Sequence, residues 1–431
     1  MISHEDNETL VRVGPGTPMG QLMRQYWIPF LKSADVEQDG QPHKVRLLGE
    51  DLVAFRDSGG KVGLVDHACP HRGAPMVFAR NEEDGIRCIY HGWKFNVEGR
   101  CQDMPAEPAN SPMCSRMTIK AYPVRERNGV LWAYMGPSRD APPLLPELEW
   151  NMVPEANCVV TLRVQECNWL QALEGEVDSA HAAILHGSRN GSTITQWRQG
   201  QDLTPTFEIQ QHEAGISIAA RRKDGAEKNY VRVNQFLMPF WTLVPPQTQY
   251  PELSGHAWVP IDDNHTLAIM FSYTPDQPFY EKTRKLFKEG HKGRETGHHS
   301  EVAYEQKPVS VPFHKYWSRF NRANAYEYDY DSGLPGLWLE DAACQSGVAA
   351  IYDRTREHLG TTDSGIARVR RMLLENAKKL AQGAVAPATT AAPSSFMVRA
   401  ISLTIPVGAD WAELGRDYMK AEVGKGFGYK P

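Results

Sequence analysis

The sequence predicts an α+β fold built mainly of antiparallel sheets, and three observations support that prediction. Short apolar runs separated by turn-forming residues follow one another along both halves of the chain. Helical stretches stand apart from these runs instead of alternating with them. A proline-rich segment at 141–146 marks a boundary. We therefore expect a small antiparallel β-domain over residues 1–150 and a larger domain, one sheet wrapped on helices, over residues 151–431.

The first half begins with a helix and continues as hairpins. The glycine- and proline-rich stretch 14–20 lacks the glycine spacing of a nucleotide-binding loop, so a helix running through 21–27 is the better interpretation. Turns rich in Asp, Asn and Gly separate several of the strands that follow. The predicted strands are 46–48, 52–55, 62–65, 94–97 and 130–134.

The second half mixes strands with longer helices. An Ala-, Pro- and Thr-rich stretch at 382–395 is typical of an exposed linker, and 411–430 is expected to pack on the surface or on a neighbouring subunit. The remaining predicted elements are strands at 230–237, 256–259 and 266–271 and helices at 281–288 and 367–380.

Composition excludes several classes of protein. The 431 residues carry a net charge of −5, which argues against nucleic acid or an anionic membrane as a partner. The chain has neither a basic amino-terminal segment with an apolar run behind it nor any apolar run near 18 residues, so we expect neither secretion nor membrane insertion. Of the seven cysteines, five show no paired spacing, as expected for a reduced cytoplasmic protein.

Two short motifs supply a set of metal ligands. Cys69 and His71 form the first, and Cys88 and His91 form the second. Two thiolates for one iron and two neutral imidazoles for the other are what a Rieske 2Fe–2S cluster requires. A structural zinc site is the alternative, but such sites usually pair cysteine with cysteine and histidine with histidine. This region resembles the Rieske iron–sulfur domain, and we expect both loops at the tips of β-hairpins.

A second metal signal lies in the helical stretch 168–186. His181 and His186 are five residues apart, and because a spacing of four aligns two ligands on an α-helix, five predicts a break or loop between them. Two such histidines alone are more often core or surface residues. A one-electron relay needs an acceptor, however, and two histidines with one carboxylate form the facial triad of non-haem iron sites.

With these motifs, the whole chain resembles the Rieske non-haem iron oxygenases, and particularly their phthalate dioxygenase-like branch. The resemblance implies a helix-grip catalytic domain and a third iron ligand at Asp341, about 155 positions after His186. The competing carboxylates are Glu340, expected to point elsewhere on the same helix, and Asp353, expected to be structural. Ser346 and Gly347 depart from the family pattern, which often has a glutamate there, and this departure removes no ligand.

Asp178 is expected to orient a ligand. It lies three residues before His181 and can hydrogen-bond the free N–H of that imidazole. The resemblance further implies that this aspartate reaches a cluster histidine of the neighbouring subunit, so that electrons cross the interface. A homotrimer, or two stacked trimers forming a hexamer, is the assembly implied.

Four polar residues near the histidines are not expected to be ligands. Glu174 and Glu176 are interpreted as surface groups or as groups behind the ligands. Asn168 and Gln171 are candidates to face the iron pocket.

The resemblance also implies a reaction. A separate reductase, with or without a ferredoxin, passes electrons from NADH, and the chain uses them with O2 to oxidise an aromatic acid. We favour O-demethylation or monohydroxylation over cis-dihydroxylation. Arg198 and Arg232 are candidates to bind the substrate carboxylate, although arginine on a strand usually faces water. A Rieske electron carrier without oxygenase activity is the alternative from another class.

Overall fold

The computed structural model describes residues 2–108, 110–186, 202–246, 252–279, 281, 284 and 337–426. Within these residues all named strand pairs are antiparallel, in agreement with the predicted fold class. No helix in the described part of the chain is both long and apolar enough to cross a membrane.

The first half forms three small sheets, with strand orders β1-β11-β10, β2-β3-β4-β9 and β5-β6-β7-β8. The strands are β1 Trp27–Lys32, β2 His43–Leu47, β3 Glu50–Arg56, β4 Val62–Asp66, β5 Arg80–Glu82, β6 Gly85–Arg87, β7 Lys94–Phe95, β8 Cys101–Asp103, β9 Ala121–Tyr122, β10 Val124–Arg127 and β11 Val130–Tyr134.

The second half forms one eight-stranded sheet with the order β12-β18-β17-β16-β15-β14-β13, and β19 pairs with β15. Its strands are β12 Cys158–Gln165, β13 Thr206–Gln211, β14 Gly215–Asp224, β15 Lys228–Leu237, β16 Trp241–Val244, β17 Leu253–Pro260, β18 Thr266–Tyr273 and β19 Ile401–Pro406.

Most helices lie at the amino terminus or on the large sheet, and the short α3 packs on β8. They are α1 His4–Val11, α2 Pro18–Arg24, α3 Met113–Arg116, α4 Glu149–Met152, α5 Trp169–Val177, α6 Ala182–Leu185, α7 Leu337–Ser346, α8 Ser364–Ala381 and α9 Trp411–Met419.

Local sequence explains where these elements begin and turn. Asn128 and Gly129 both have positive φ, 49° and 71°, between β10 and β11, as the two central residues of a tight hairpin require. Thr17 caps α2 by accepting a hydrogen bond from the Gly20 amide at 3.2 Å. Because this cap and Pro18 set the start, α2 lies earlier than predicted, and Trp27 already belongs to β1.

An aromatic cluster joins the two halves. The ring of Trp132, from β11, lies 5.7 Å from that of Trp150 and 5.6 Å from that of Trp241, while Trp150 stacks on Phe271 at 4.9 Å. All four side chains are almost fully buried. The sheets β1-β11-β10 and β2-β3-β4-β9 therefore share an apolar core with the large sheet, whereas the sheet β5-β6-β7-β8 packs in a separate core. The boundary near residue 150 stays a prediction.

The carboxy-terminal part packs more tightly than the sequence indicates. Thr389, inside the predicted linker, is buried and lies 2.7 Å from the Tyr26 hydroxyl oxygen. The linker interpretation is therefore wrong for this position. The apolar face of α9 packs against β19 through Trp411, in agreement with the prediction for the final segment.

A buried ion pair fixes the start of this carboxy-terminal segment. The Arg399 Nε donates to Glu149 at 2.7 Å, and the Tyr273 hydroxyl donates to the same carboxylate at 3.0 Å. Both charged side chains are nearly inaccessible. Removing one partner of such a pair leaves the other charge buried, which costs far more than loss of an exposed pair.

We expect Glu149→Ala to lower the free energy of unfolding by about 3–5 kcal/mol, because the Arg399 guanidinium loses its buried carboxylate. The matched control is Glu8→Ala, which breaks the exposed Arg12–Glu8 pair and should cost about 0–1 kcal/mol. Urea denaturation followed by tryptophan fluorescence measures both values. Equal, small losses in the two variants would contradict the structural role of this pair.

Candidate metal centres

The two Cys-His motifs fold into loops with the same backbone hydrogen bonds. In each loop, the backbone amide of the cysteine donates a hydrogen bond to the carbonyl five residues after the cysteine. The amide of the glycine four residues after the cysteine donates a hydrogen bond to the cysteine carbonyl. Both glycines have φ near 70°, a conformation that other residues rarely adopt. The bonds are Cys69 to Ala74 (2.9 Å), Gly73 to Cys69 (2.8 Å), Cys88 to Trp93 (2.9 Å) and Gly92 to Cys88 (3.0 Å).

The second loop joins β6 to β7, so it lies at a hairpin tip as predicted. The first follows β4 and is closed by an isolated bridge between Ala68 and Pro75. It is therefore not part of a regular hairpin, because β4 pairs with β3 and β9.

The four donor side chains of these loops converge. Cys69 and Cys88 are 3% exposed, and the rings of His71 and His91 lie 4.4 Å apart. His71 stacks on Trp93, and its Nδ1 is buried without a hydrogen-bond partner among the described residues. Burial, with Cys88 nearby, raises the pKa of Cys69 to about 11. Buried thiols and an orphaned imidazole nitrogen fit a metal cluster that would bind them.

The second centre unites His181, His186 and Asp341. One ligand atom of each lies within 4.8 Å of the others. The Asp341 Oδ1 is 3.4 Å from the His181 Nε2 and 3.3 Å from the His186 Nε2. The two rings are nearly perpendicular, at 78°. Two imidazole nitrogens and one carboxylate oxygen facing a common point form a donor set that suits Fe(II).

A break in the helix presents the two histidines, but at a different place from the prediction. Helix α5 ends at Val177, and the short α6 occupies the positions between His181 and His186. The interruption therefore precedes His181, and the two histidines flank a single helical turn.

Asp341 reaches the histidines because α7 packs on α5. The backbone carbonyl of Gln345 accepts a hydrogen bond from the side-chain amide of Gln171, on α5, at 2.6 Å. The side-chain oxygen of Gln345 accepts another from the side-chain amide of Gln165, on β12, at 2.6 Å. Gly175 permits this approach, since a Cβ at that position would lie 2.1 Å from the Gln345 Nε2. These contacts hold the third donor against the first two.

The charges in the triad depend on one another. Burial alone would lower the pKa of His181, but the carboxylates of Asp178 and Asp341 raise it to about 10. Burial would raise the pKa of Asp341, yet His181 and His186 hold it well below its usual range. A divalent cation bound here would replace the imidazole protons as the partner of this buried carboxylate.

Glu340 has a role that the sequence did not indicate. Its carboxylate is fully buried and lies 2.7 Å from the His186 Nδ1, so it fixes the orientation of that ring. Glu340 points in a different direction from Asp341, as expected, but its contact with His186 was not foreseen. Neighbouring helix positions lie about 100° apart, which lets Asp341 face the ligands while Glu340 reaches behind one of them.

Asp178 lies behind the other histidine. One of its oxygens accepts from the Ala180 amide at 2.7 Å, and the other is 3.4 Å from the His181 Nδ1. This position fits the orienting role predicted for it. Asp353, in contrast, caps a short 3-10 turn by accepting from the Thr355 amide, as expected of a structural residue.

The other candidates near α5 serve its packing. Asn168 caps the helix by accepting from the Leu170 amide, and Gln171 donates to the Gln345 carbonyl, so neither faces the metal triad. The surface interpretation of Glu174 and Glu176 is also wrong. Glu174 forms buried ion pairs with two arginines, and Glu176 accepts hydrogen bonds from the large sheet. Their partners are Arg354, Arg370, His256 and Trp258.

Two buried arginines lie on the adjacent strands β14 and β15, and one of them contacts the segment that precedes His181. Arg232 is 6% exposed, so the expectation of a solvated side chain is wrong, and it donates to the Pro245 carbonyl at 3.0 Å. Arg222, which the sequence did not single out, is 1% exposed and donates to the Ser179 carbonyl at 2.7 Å. Arg198 lies outside the described residues.

Arg222 has no ion-pair partner among the described residues, and the carboxylates of Asp202 and Asp178 favour its charge only from a distance. Within the described part of the chain, its Nε has no hydrogen-bond partner. Burial and, to a smaller extent, repulsion from the charge of Arg232 lower the pKa of Arg222 to about 10. Only the alternation of inward positions along β14, next to the outward Arg221, could have indicated it from sequence.

Comparison with known families divides the chain into two matched regions. Residues 26–123 match the Rieske [2Fe-2S] domain, and residues 133–429 match the LigXa C-terminal domain like family. The Rieske match covers all four donors of the first centre, and the resemblance inferred from the motifs is confirmed.

Several similar proteins are oxygenase subunits. The 3-chlorobenzoate-3,4-dioxygenase oxygenase subunit of Comamonas testosteroni is 36% identical over 94% of this chain and 96% of its own length. The 5,5'-dehydrodivanillate O-demethylase oxygenase subunit of a Sphingobium species is 31% identical over 89% and 82%. The oxygenase in a reduced complex with ferredoxin from carbazole 1,9a-dioxygenase has the same fold, with a TM-score of 0.57 at 18% identity over 89% and 98%.

We expect Glu340→Ala to weaken Fe(II) binding at the triad by about 10–100-fold, because His186 loses the group that orients it. Glu340→Gln keeps an acceptor and should lose less. Anaerobic Fe(II) titration of protein stripped of loosely held metal measures the affinity, with Asp353→Ala as the matched carboxylate control. An unchanged affinity in Glu340→Ala would contradict this role.

Proposed function

The chain belongs to the Rieske oxygenases, and on that premise we propose that it is the terminal oxygenase of a multicomponent system that oxidises an aromatic acid with O2. It is an oxidoreductase of the oxygenase type. The observation that carries the proposal is the presence of two different metal sites in one chain, the Cys-His loops and the triad of His181, His186 and Asp341. A pure electron carrier would leave the triad without a role.

We infer the cofactors from the ligand types at the two sites. Cys69, His71, Cys88 and His91 would hold the 2Fe–2S cluster, and the triad would hold mononuclear Fe(II). When bound, these groups supply one-electron transfer and O2 activation. The protein contributes the positions of the ligands, through Trp93 behind His71 and through the carboxylates behind the two triad histidines.

Both sites lie beside exposed apolar side chains, and this supports an assembly that covers them. Ile89 and Tyr90, between the cluster ligands Cys88 and His91, are 58% and 57% exposed, and Ile184, between the triad histidines, is 66% exposed. Large apolar side chains grouped at a surface often mark an interface. We infer a homotrimer, alone or stacked as a hexamer, in which the cluster of one subunit faces Asp178 of the next.

An external protein supplies the electrons in this proposal. The oxygenase of carbazole 1,9a-dioxygenase, which has the same fold, forms a complex with ferredoxin, and this supports an electron-transfer partner of that kind. We propose a reductase with NADH as the ultimate donor, acting directly or through a ferredoxin.

The buried arginines support an acidic substrate. Arg222 donates to the backbone of Ser179, two residues before the ligand His181, so its charge lies close to the triad. Arg232 adds a second positive charge nearby. A substrate carboxylate would satisfy the Arg222 Nε and offset this repulsion. The relatives named for chlorobenzoate and dehydrodivanillate act on acids of this class.

We expect Asp178→Asn to lower turnover by about 10–100-fold while the cluster is still reduced at a normal rate, because the variant loses the charge behind His181. Single-turnover stopped-flow measurement of cluster reoxidation separates the two steps. Asp353→Asn, a carboxylate away from both centres, is the control. Normal cluster reoxidation in Asp178→Asn would remove this residue from the electron path.

Arg222→Met should raise KM for an aromatic acid by about 10–100-fold, since a hydrogen bond to a charged group contributes about 1.5–3 kcal/mol. Its neighbour Arg221→Met is the matched control, because Arg221 pairs with Glu208. Steady-state assays with an acid and its neutral amide measure the effect. A similar KM increase for both ligands, or for both variants, would contradict a carboxylate-binding role.

The products decide the reaction type. We expect methoxylated aromatic acids to yield formaldehyde, and unmethoxylated ones to yield monohydroxylated products, when enzyme, reductase, NADH and O2 are combined. Formaldehyde assay and mass spectrometry of the products provide the measurement. Ring diols without formaldehyde across the panel would favour cis-dihydroxylation, the chemistry of a chlorobenzoate dioxygenase type of enzyme.

A further inference from the structure

Two cysteines outside the cluster loops lie against each other. Cys101, on β8, and Cys114, on α3, have Sγ atoms 3.2 Å apart. Both are free thiols, as expected of a reduced protein, and their spacing in the sequence did not indicate this contact. Thirteen positions separate them in sequence, and the contact arises only from the fold.

Backbone hydrogen bonds hold the two thiols in place. The Cys101 amide donates to the Met117 carbonyl at 3.1 Å, and the Met117 amide donates to the Cys114 carbonyl at 3.3 Å. A bridge between Arg100 and Thr118 continues this pairing. A disulfide bond is about 2.05 Å long, so bond formation would need the sulfurs to approach by roughly 1 Å. Small side-chain rotations can supply that movement.

The chain next to Cys101 contacts the second cluster loop. Asp103 pairs with Arg87 at 2.7 Å, and Arg87 also donates to the Gly92 carbonyl at 2.7 Å. Pro105 packs on Gly92 so closely that a Cβ there would lie 2.6 Å from the Pro105 Cγ. A covalent link at Cys101 would therefore fasten the chain that supports this loop.

The remaining cysteines provide a contrast. Cys158 and Cys167 are buried, and Cys344 is exposed. In the described part of the chain, none of these three makes a sulfur–sulfur contact with another cysteine, whereas Cys101 and Cys114 do.

We propose that Cys101 and Cys114 form a reversible dithiol–disulfide pair that fastens the chain beneath the second cluster loop. The oxidant is a small-molecule disulfide such as glutathione disulfide. The thiolate of Cys114 attacks one glutathione sulfur, forming a mixed disulfide and releasing one glutathione thiolate. Cys101 then attacks the Cys114 sulfur and releases the second. Two protein thiols are oxidised, and one glutathione disulfide is reduced to two glutathione thiols.

The order of attack follows from the surroundings of the two thiols. Burial, reinforced by the adjacent Cys114 sulfur, raises the pKa of Cys101 to about 12. Cys101 is thus the poorer initial nucleophile. It acts second, when the mixed disulfide already lies beside it.

Mass spectrometry of the holoenzyme tests this pair. The protein is incubated anaerobically with glutathione disulfide, alkylated, digested and compared with a sample treated with dithiothreitol. We expect one cross-linked peptide pair containing Cys101 and Cys114, lighter than the two free peptides by two hydrogen atoms, and its loss on reduction. The visible spectrum of the cluster reports whether its own cysteines stay bound during the treatment.

Variants make the outcome decisive. Cys101→Ser should stop at a glutathione adduct on Cys114, while Cys344→Ser, the control, should form the same cross-link as the wild type. Hydrogen exchange at Gln102 and Asp103 should slow in the cross-linked protein. Two separately alkylated cysteines in the oxidised wild type, a persistent glutathione adduct on it, or a cross-link that dithiothreitol cannot reverse in the folded protein would each overturn the proposal.

Discussion

The packing of α7 on α5 is the contact on which the candidate iron site depends. It brings Asp341 to two histidines about 155 positions earlier in the chain. Gly175 gives the space for Gln345, which accepts one short hydrogen bond from Gln171 on α5 and another from Gln165 at the end of β12. Without this contact the chain would have two separate half-sites, neither with enough donors for a stable metal centre.

Buried charges then hold α5 itself in position. Glu174 binds two arginines from the carboxy-terminal part of the chain, and Glu176 binds the large sheet. Contacts on two sides of α5 thus hold its last turn in place, just before the segment that carries His181 and His186. Such buried pairs are costly to desolvate, and they contribute a defined geometry more than net stability. A ligand set that must hold a metal at fixed distances benefits from that rigidity.

The sequence predicted what is local. The Cys-His loops and the strands around them depend on residues close in sequence, and both were found. Asp341 could be named only through resemblance, because no spacing rule connects it to His186. Glu340, Arg222 and the Cys101–Cys114 contact were missed for a related reason: each acquires its role from a partner that only the tertiary fold brings near.

The central claim is that one chain carries a Rieske cluster and a separate mononuclear site. The most direct test combines a measurement of iron content with electron paramagnetic resonance. The wild type should contain about three iron atoms per chain, two of them in the cluster. Asp341→Ala should contain about two and keep the Rieske signal, while Asp353→Ala should match the wild type. Two iron atoms in the wild type, or an unchanged content in Asp341→Ala, would contradict the two-site account.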